Sequence, residues 1–286
     1  MSMLRLRTRV VAVLVCAAGF LGLTSRQAAA GHVRRAAPDG GWLLLEGGGK
    51  LAGTDIAKRF VALAGGPGRN YVVISTAISD SQFTAARLAR CAERSAQILG
   101  VAHVTCLDAR DRGEANSAGF NEVVRTANGV WIYGGDEERL VDRYVGTAVV
   151  PSLRAVLDRG GVLGGTSAGA MILASYVPIR GTLPVSAFGF LANTTIAPHY
   201  TQRHYEGELR GVLTAHPRLR GIGIDESTAI VVHGDDFDVI GDGTVTVMGR
   251  RTTVLHPGQR FDYASESVVS GARSPGAHDG GYRRSA

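Results

Sequence analysis

Short apolar runs closed off by glycine alternate with segments of helical periodicity through most of this chain, and that alternation restricts it to an α/β architecture. Trp42–Leu45, Tyr71–Thr76, Val101–Leu107, Val130–Tyr133 and Gly161–Gly164 read as strands buried on both faces. The helix expected over 82–99 puts Phe83, Leu88, Ala89, Ala92, Ala96 and Leu99 on one stripe, with Arg87, Arg90, Glu93 and Arg94 on its other faces and Gly100 at its stop. The pattern predicts a doubly wound, mostly parallel sheet with flanking helices, whose ligands bind beyond the carboxyl ends of the strands. After residue 225 the runs Thr228–His233, Phe237–Ile240 and Thr244–Met248 follow one another without helices. With Asp242-Gly243 as a hairpin signal, they predict a small antiparallel ribbon near the C-terminus.

Charge helps only once it is located. The 286 residues carry a formal +6, but Arg5, Arg7, Arg9 and Arg26 lie in an acid-free first 30 residues, and without them 27 basic groups face 25 acidic ones. The body is therefore not a basic nucleic-acid binder. Val10–Leu23 is an apolar run of 14 residues, shorter than the ~20 of a spanning helix, and Ala28-Ala29-Ala30 follows it. Residues 1–30 thus read as a cleaved export signal. The expectation is a secreted or periplasmic chain with no membrane segment in its mature form. It would consist of a single α/β domain over 31–269 and a disordered Gly/Ser/Arg tail over 270–286. Cys16 leaves with the signal, so Cys91 and Cys106 remain as an even pair, either bridged between the helix and the next strand or packed as two small hydrophobes.

The most informative stretch is Gly161-Val162-Leu163-Gly164-Gly165-Thr166-Ser167-Ala168-Gly169-Ala170-Met171, a strand running through Gly-x-Ser-x-Gly into a helix. A serine on so sharp a turn is lifted off the sheet toward substrate, and the Ala168 N–H becomes a natural oxyanion donor. A plain helix cap is the other reading of such a serine. A nucleophilic hydroxyl needs a base, and the base needs an acid to orient it. His32 and His278 lie in expected tails, His103 inside a strand, and His233 and His256 in the ribbon region. His199 follows Ile196-Ala197-Pro198 at an expected strand end, with His204 its nearest rival. Asp225 and Glu226, at the mouth of Gly221-Ile222-Gly223-Ile224, are either site acids or charges on a solvated turn. Gly134-Gly135-Asp136 after a strand is either a plain turn or a loop that offers a Gly135 or Asp136 N–H to an oxyanion. Gly47-x-Gly49-x-x-Ala52 fits a relaxed dinucleotide fingerprint but lacks the acid expected about 20 residues later. No cofactor is expected, and no Cys/His grouping has metal-ligand spacing, so no metal site is expected.

Taken together, Gly47-Gly48-Gly49, Ser75-Thr76-Ala77, Gly134-Gly135-Asp136, the Gly-Thr-Ser-Ala-Gly-Ala string at Ser167, His199-Tyr200 with Arg203 and Leu209, and Asp225-Glu226-x-Thr228-Ala229 resemble the cyanophycinase family of serine peptidases. These are relatives of aspartyl dipeptidase, with a fold like that of class I glutamine amidotransferases. The resemblance spans about residues 42–250 and implies Ser167 as nucleophile, His199 as base and Glu226 as the orienting acid. It also implies cleavage at β-linked aspartate in a peptide or cyanophycin-like polymer without a cofactor, and a homodimer as the common assembly. Four positions concern the substrate pocket. Glu137 stands where the family carries Gln, and Arg203 is kept, while Tyr205 and Glu208 replace arginines. A carboxylate in place of a guanidinium repels an aspartate substrate, which leaves a same-fold dipeptidase or esterase, or a non-catalytic binding homologue, as the other readings.

Overall fold

The computed structural model describes residues 40–78, 84–179 and 184–269. The expected signal over 1–30, the tail over 270–286 and Phe83 lie outside those residues.

In chain order the first half runs β1 (Trp42–Glu46), α1 (Asp55–Leu63), β2 (Tyr71–Ile74), α2 (Ala85–Leu99), β3 (Val104–Leu107), α3 (Arg112–Asn116), α4 (Ala118–Thr126), β4 (Gly129–Ile132), α5 (Glu137–Tyr144), α6 (Val149–Asp158), β5 (Val162–Thr166) and α7 (Ala168–Leu173). The second half runs β6 (Ala174–Val177), β7 (Val185–Ser186), β8 (Leu191–Pro198), α8 (Glu206–Ala215), β9 (Arg220–Ile224), β10 (Thr228–His233), β11 (Asp236–Gly241), β12 (Val245–Met248), β13 (Thr252–Leu255), β14 (Arg260–Asp262) and β15 (Ser267–Val269). None of the helices among the described residues is long and apolar enough to cross a membrane.

The fold is mixed α/β. Five glycine-bounded runs form the parallel half of a nine-stranded sheet, β1-β5-β4-β2-β3, as the sequence predicts. The other half, β15-β14-β11-β10, is antiparallel and attaches through β1 and β10. A second, six-stranded sheet, β13-β12-β9-β8-β6-β7, was not predicted. Mostly parallel therefore describes half of the main sheet rather than the whole fold.

The expected C-terminal ribbon forms for its first two strands, since β10 and β11 pair antiparallel, but its third strand lies elsewhere. Asp242-Gly243 joins β11 to β12, which lie in different sheets, so it is a crossover and not a hairpin. The Asp225 carboxylate captures this turn, accepting hydrogen bonds from the Thr244 N–H and hydroxyl at 2.9 and 2.8 Å, and the Gly243 N–H donates to the Thr228 hydroxyl at 2.8 Å. Local turn chemistry is overridden by these tertiary contacts.

Alternate residues of the strands feed two cores, one on each face of the main sheet. Leu43, Leu45, Val130, Ile132 and Leu163 pack on the side of α7, and Leu44, Val73, Trp131 and Val231 pack on the side of α1. The helix α2 ends at Gly100, which is left-handed with φ 68°, as the periodicity requires. Its packed face follows the predicted stripe at Leu88, Ala92, Ala96 and Leu99, with Arg87, Arg90, Glu93 and Arg94 exposed, but Ala89 is exposed and the face widens to take in Cys91, Ser95 and Ile98. Cys91 is bonded to Cys106 of β3 with a Cα–Cα separation of 6.0 Å. This bridge closes a 15-residue separation, a loop whose cross-linking contributes about 3 kcal/mol. Reduction, or replacement of both cysteines by serine, should lower Tm by roughly 6–12 °C, measured by calorimetry with and without reductant.

Candidate active site

Ser167 follows β5 directly and has φ 52°, ψ −121°, a conformation that non-glycine residues rarely adopt. The turn closes because Gly165 and Gly169 lack side chains. A Cβ on Gly165 would lie 2.2 Å from the Gly169 carbonyl oxygen, and one on Gly169 would lie 2.0 Å from that of Ile132. No side-chain cap is made by Ser167 to α7, so the plain-cap reading fails.

β8 and β9 are parallel neighbours of the second sheet, with Pro198 level with Ile224. The chain therefore delivers His199 and Glu226 side by side just past their ends. His199 Nδ1 lies 2.6 Å from Glu226 Oε1, and Nε2 lies 2.9 Å from Ser167 Oγ. With the ring proton on Nδ1, His199 donates to Glu226 and accepts the Ser167 O–H at Nε2. The three predicted residues thus form one hydrogen-bonded row. Its imidazole is buried and its carboxylate is 40% exposed.

The alternatives are placed elsewhere. His204 is exposed in the turn before α8. Asp225 points into the crossover turn rather than toward His199. Its burial raises the carboxyl pKa, but hydrogen bonds from Thr244 and Thr201 outweigh this and hold it below the usual carboxylate range.

A pocket beside Ser167 is lined by Gly135 and Ala168, by Glu137, Arg203, Tyr205 and Glu208, and by apolar Met171, Ile196, Leu209 and Val212. The four pocket positions read from the sequence therefore meet at one cavity. Asp136 is the exception among the oxyanion candidates. Its N–H donates to the Ala77 carbonyl at 2.9 Å and its side chain caps α5, so the Gly135 N–H remains the candidate from that loop. Among the described residues no group of three or more His, Cys, Asp or Glu side chains is arranged to hold a metal ion.

What sequence reasoning missed is the scaffold under the row. The Ser167 N–H donates to the Glu46 carbonyl at 3.0 Å, the His199 N–H to the Gly47 carbonyl at 2.8 Å, and the Ser227 N–H, next to Glu226, to the Gly48 carbonyl at 2.7 Å. Three successive carbonyls, of the last residue of β1 and the two after it, thus hold Ser167, His199 and the residue next to Glu226. Three consecutive glycines after a strand signal close backbone approach, and here what approaches is the site itself.

Glu46 is the other missed residue. It is fully buried, neither carboxyl oxygen makes a hydrogen bond of good geometry among the described residues, and burial pushes its pKa up to about 7, with the weak hydrogen bond from the neighbouring Thr166 offsetting a smaller part. Because the folded state holds this proton to higher pH than the unfolded chain, stability is full below about pH 4.5 and falls as pH rises to about 7. The loss amounts to roughly 3 kcal/mol. Glu46→Gln, neutral throughout, should flatten that slope in urea unfolding measured from pH 4 to 8.

A strained serine at a strand–helix elbow, with an imidazole and a carboxylate in line behind it, is the arrangement of a hydrolase that works through a covalent intermediate. Peptidase family S51 matches residues 43–240, so the chain belongs to that family and is a serine-type peptidase. It is similar to the cyanophycinase of Geminocystis herdmanii, 28% identical over 77% of this chain and 81% of that protein, and to that of Trichormus variabilis, 29% identical over 77% and 76%. Among solved structures, a peptidase from an acI-B1 Actinobacterium superposes with a TM-score of 0.67 at 26% identity, covering 78% of this chain and 98% of that one. A Listeria monocytogenes protein described as a putative peptidase E shares the fold at a TM-score of 0.52 and 17% identity, over 71% and 99%.

Proposed function

We propose that this peptidase hydrolyses peptide bonds at β-linked aspartate, as in cyanophycin-like polymers, by acyl transfer through Ser167, His199 and Glu226. The observation that carries the mechanism is the row of hydrogen bonds at 2.6 and 2.9 Å. Ser167 Oγ attacks the scissile carbonyl while His199 Nε2 takes its proton, and Glu226 stabilises the imidazolium. The oxyanion is held by the N–H groups of Ala168 and Gly135, two residues that line the pocket. His199 then passes the proton to the departing amine. Water, activated by the same imidazole, releases the acyl group. Likeness to cyanophycinases supports the substrate class.

One observation favours a second substrate on the same machinery. Among the described residues, Glu137 and Glu208 line the pocket with Arg203 as the one cation opposing them, which disfavours an acidic residue there. Purified protein assayed on insoluble cyanophycin, β-aspartyl dipeptides and acyl esters decides between these readings. Release of β-Asp-Arg dipeptides supports the first. Turnover of the other substrates alone supports the second. Failure of Ser167 to react with a fluorophosphonate would leave a binding homologue. Export is part of the proposal, supported by the N-terminal arginines, the apolar run that follows them and the Cys91–Cys106 bridge, a bond that persists in oxidising compartments.

A further inference from the structure

Glu46 is the last residue of β1, level with Thr166 on β5 and with Ala229 on β10. Its side chain shares the core face of Leu44, Trp131 and Val231 and is fully buried. Of the elements around it, β5 and β10 present Thr166 and Ala229, which do not titrate. Just past β4 comes Tyr133, whose hydroxyl is 3.1 Å from Ser95 of α2 and which feels both Arg94 of that helix and Glu46 itself. Among the described residues no cation offsets the burial of Glu46. A carboxylate charged in such a place, with no cation and only the weak Thr166 hydrogen bond to offset its burial, either stays protonated or draws in water by moving. Movement there is not local, because the Glu46 carbonyl holds Ser167 and the next two carbonyls hold His199 and Ser227.

We infer that Glu46 is a positioning residue: its protonated carboxyl keeps the end of β1 seated beneath the row, and its ionisation displaces that end together with Ser167, His199 and Glu226. This rests on the reading of Ser167 as the nucleophile. Its consequence is an alkaline limb of activity that belongs to neither the base nor the nucleophile.

The test is the rate at which a fluorophosphonate labels Ser167 from pH 5 to 9, in which an O–P bond forms, fluoride leaves and the hydroxyl proton goes to His199. In the wild type the rate should fall above pH 7, to about a hundredth of its maximum by pH 9, as a one-proton titration near 7 requires. In Glu46→Gln that fall should disappear. The same alkaline fall in Glu46→Gln, or no fall in the wild type, would overturn the inference. A measurement on the wild type alone guards against a poorly folded variant: the Glu46 side-chain carboxyl carbon and the Ser167 and Ser227 amides are followed by NMR against pH. Amides that shift together with the Glu46 titration support the coupling, and amides that ignore it overturn it. Folded protein that never labels at any pH would instead overturn the serine mechanism, and the NMR titration would still decide the role of Glu46.

Discussion

Replacing Ser167 by alanine will lower turnover of any accepted substrate by about 10⁴- to 10⁶-fold while leaving the fold intact. The change removes the attacking oxygen and one 2.9 Å hydrogen bond to His199, but it keeps the β5–α7 turn, which depends on the glycines around it. Tm should move by no more than a few degrees. Because serine and base act as one unit, the double variant Ser167→Ala/His199→Ala should be no slower than Ser167→Ala alone. Steady-state kinetics on the substrate identified by the panel measures both. A Ser167→Ala protein with wild-type kcat would remove the acyl-enzyme mechanism.

The second large effect falls on a residue with no side chain. Gly48 has φ 108°, and a Cβ there would sit 2.2 Å from His199 Cε1 and 2.8 Å from each ring nitrogen. Gly48→Ala therefore forces the imidazole out of line between Ser167 and Glu226. Displacement of a reacting group by about 1 Å costs on the order of a hundredfold in rate, so kcat should fall by at least that much. Backbone strain adds about 1–3 kcal/mol of lost stability. Gly53→Ala separates the two effects, since Gly53 also has positive φ, at 74°, but its Cβ would meet nothing within 4 Å. That variant should lose stability and keep kcat, and equal kinetics for the two variants would disprove the steric account.

Glu46 and Gly48 show why some of the site escaped sequence reading. Strand runs and the elbow are local: alternation, glycine punctuation and Gly-x-Ser-x-Gly each report on neighbours a few residues away. His199 and Glu226 were legible as residues at strand ends, and the family strings singled them out. The expected strand over Trp42–Leu45 stopped one residue short of Glu46, because a carboxylate ordinarily ends a buried run. The Gly47–Gly49 loop offered the signal of close approach, but nothing nearby in the chain says that the approaching group is an imidazole about 150 residues later. The Asp242-Gly243 turn misled for the same reason. Its dipeptide favours a hairpin, while the Asp225 carboxylate, from another segment, holds it as a crossover between sheets.

By itself the sequence determined the alternating elements and the bend bearing Ser167, since these depend on periodicity or on short-range backbone sterics, while the choice of His199 and Glu226 over their neighbours came from the family resemblance. Only the tertiary structure decided that the strands divide between two sheets, that Cys91 meets Cys106, that Asp136 uses its N–H on Ala77, and that the carbonyls of Glu46, Gly47 and Gly48 gather the row. Those outcomes depend on which distant groups satisfy one another's hydrogen bonds and fill one another's space. That is a property of the packed chain, and no local window of residues contains it.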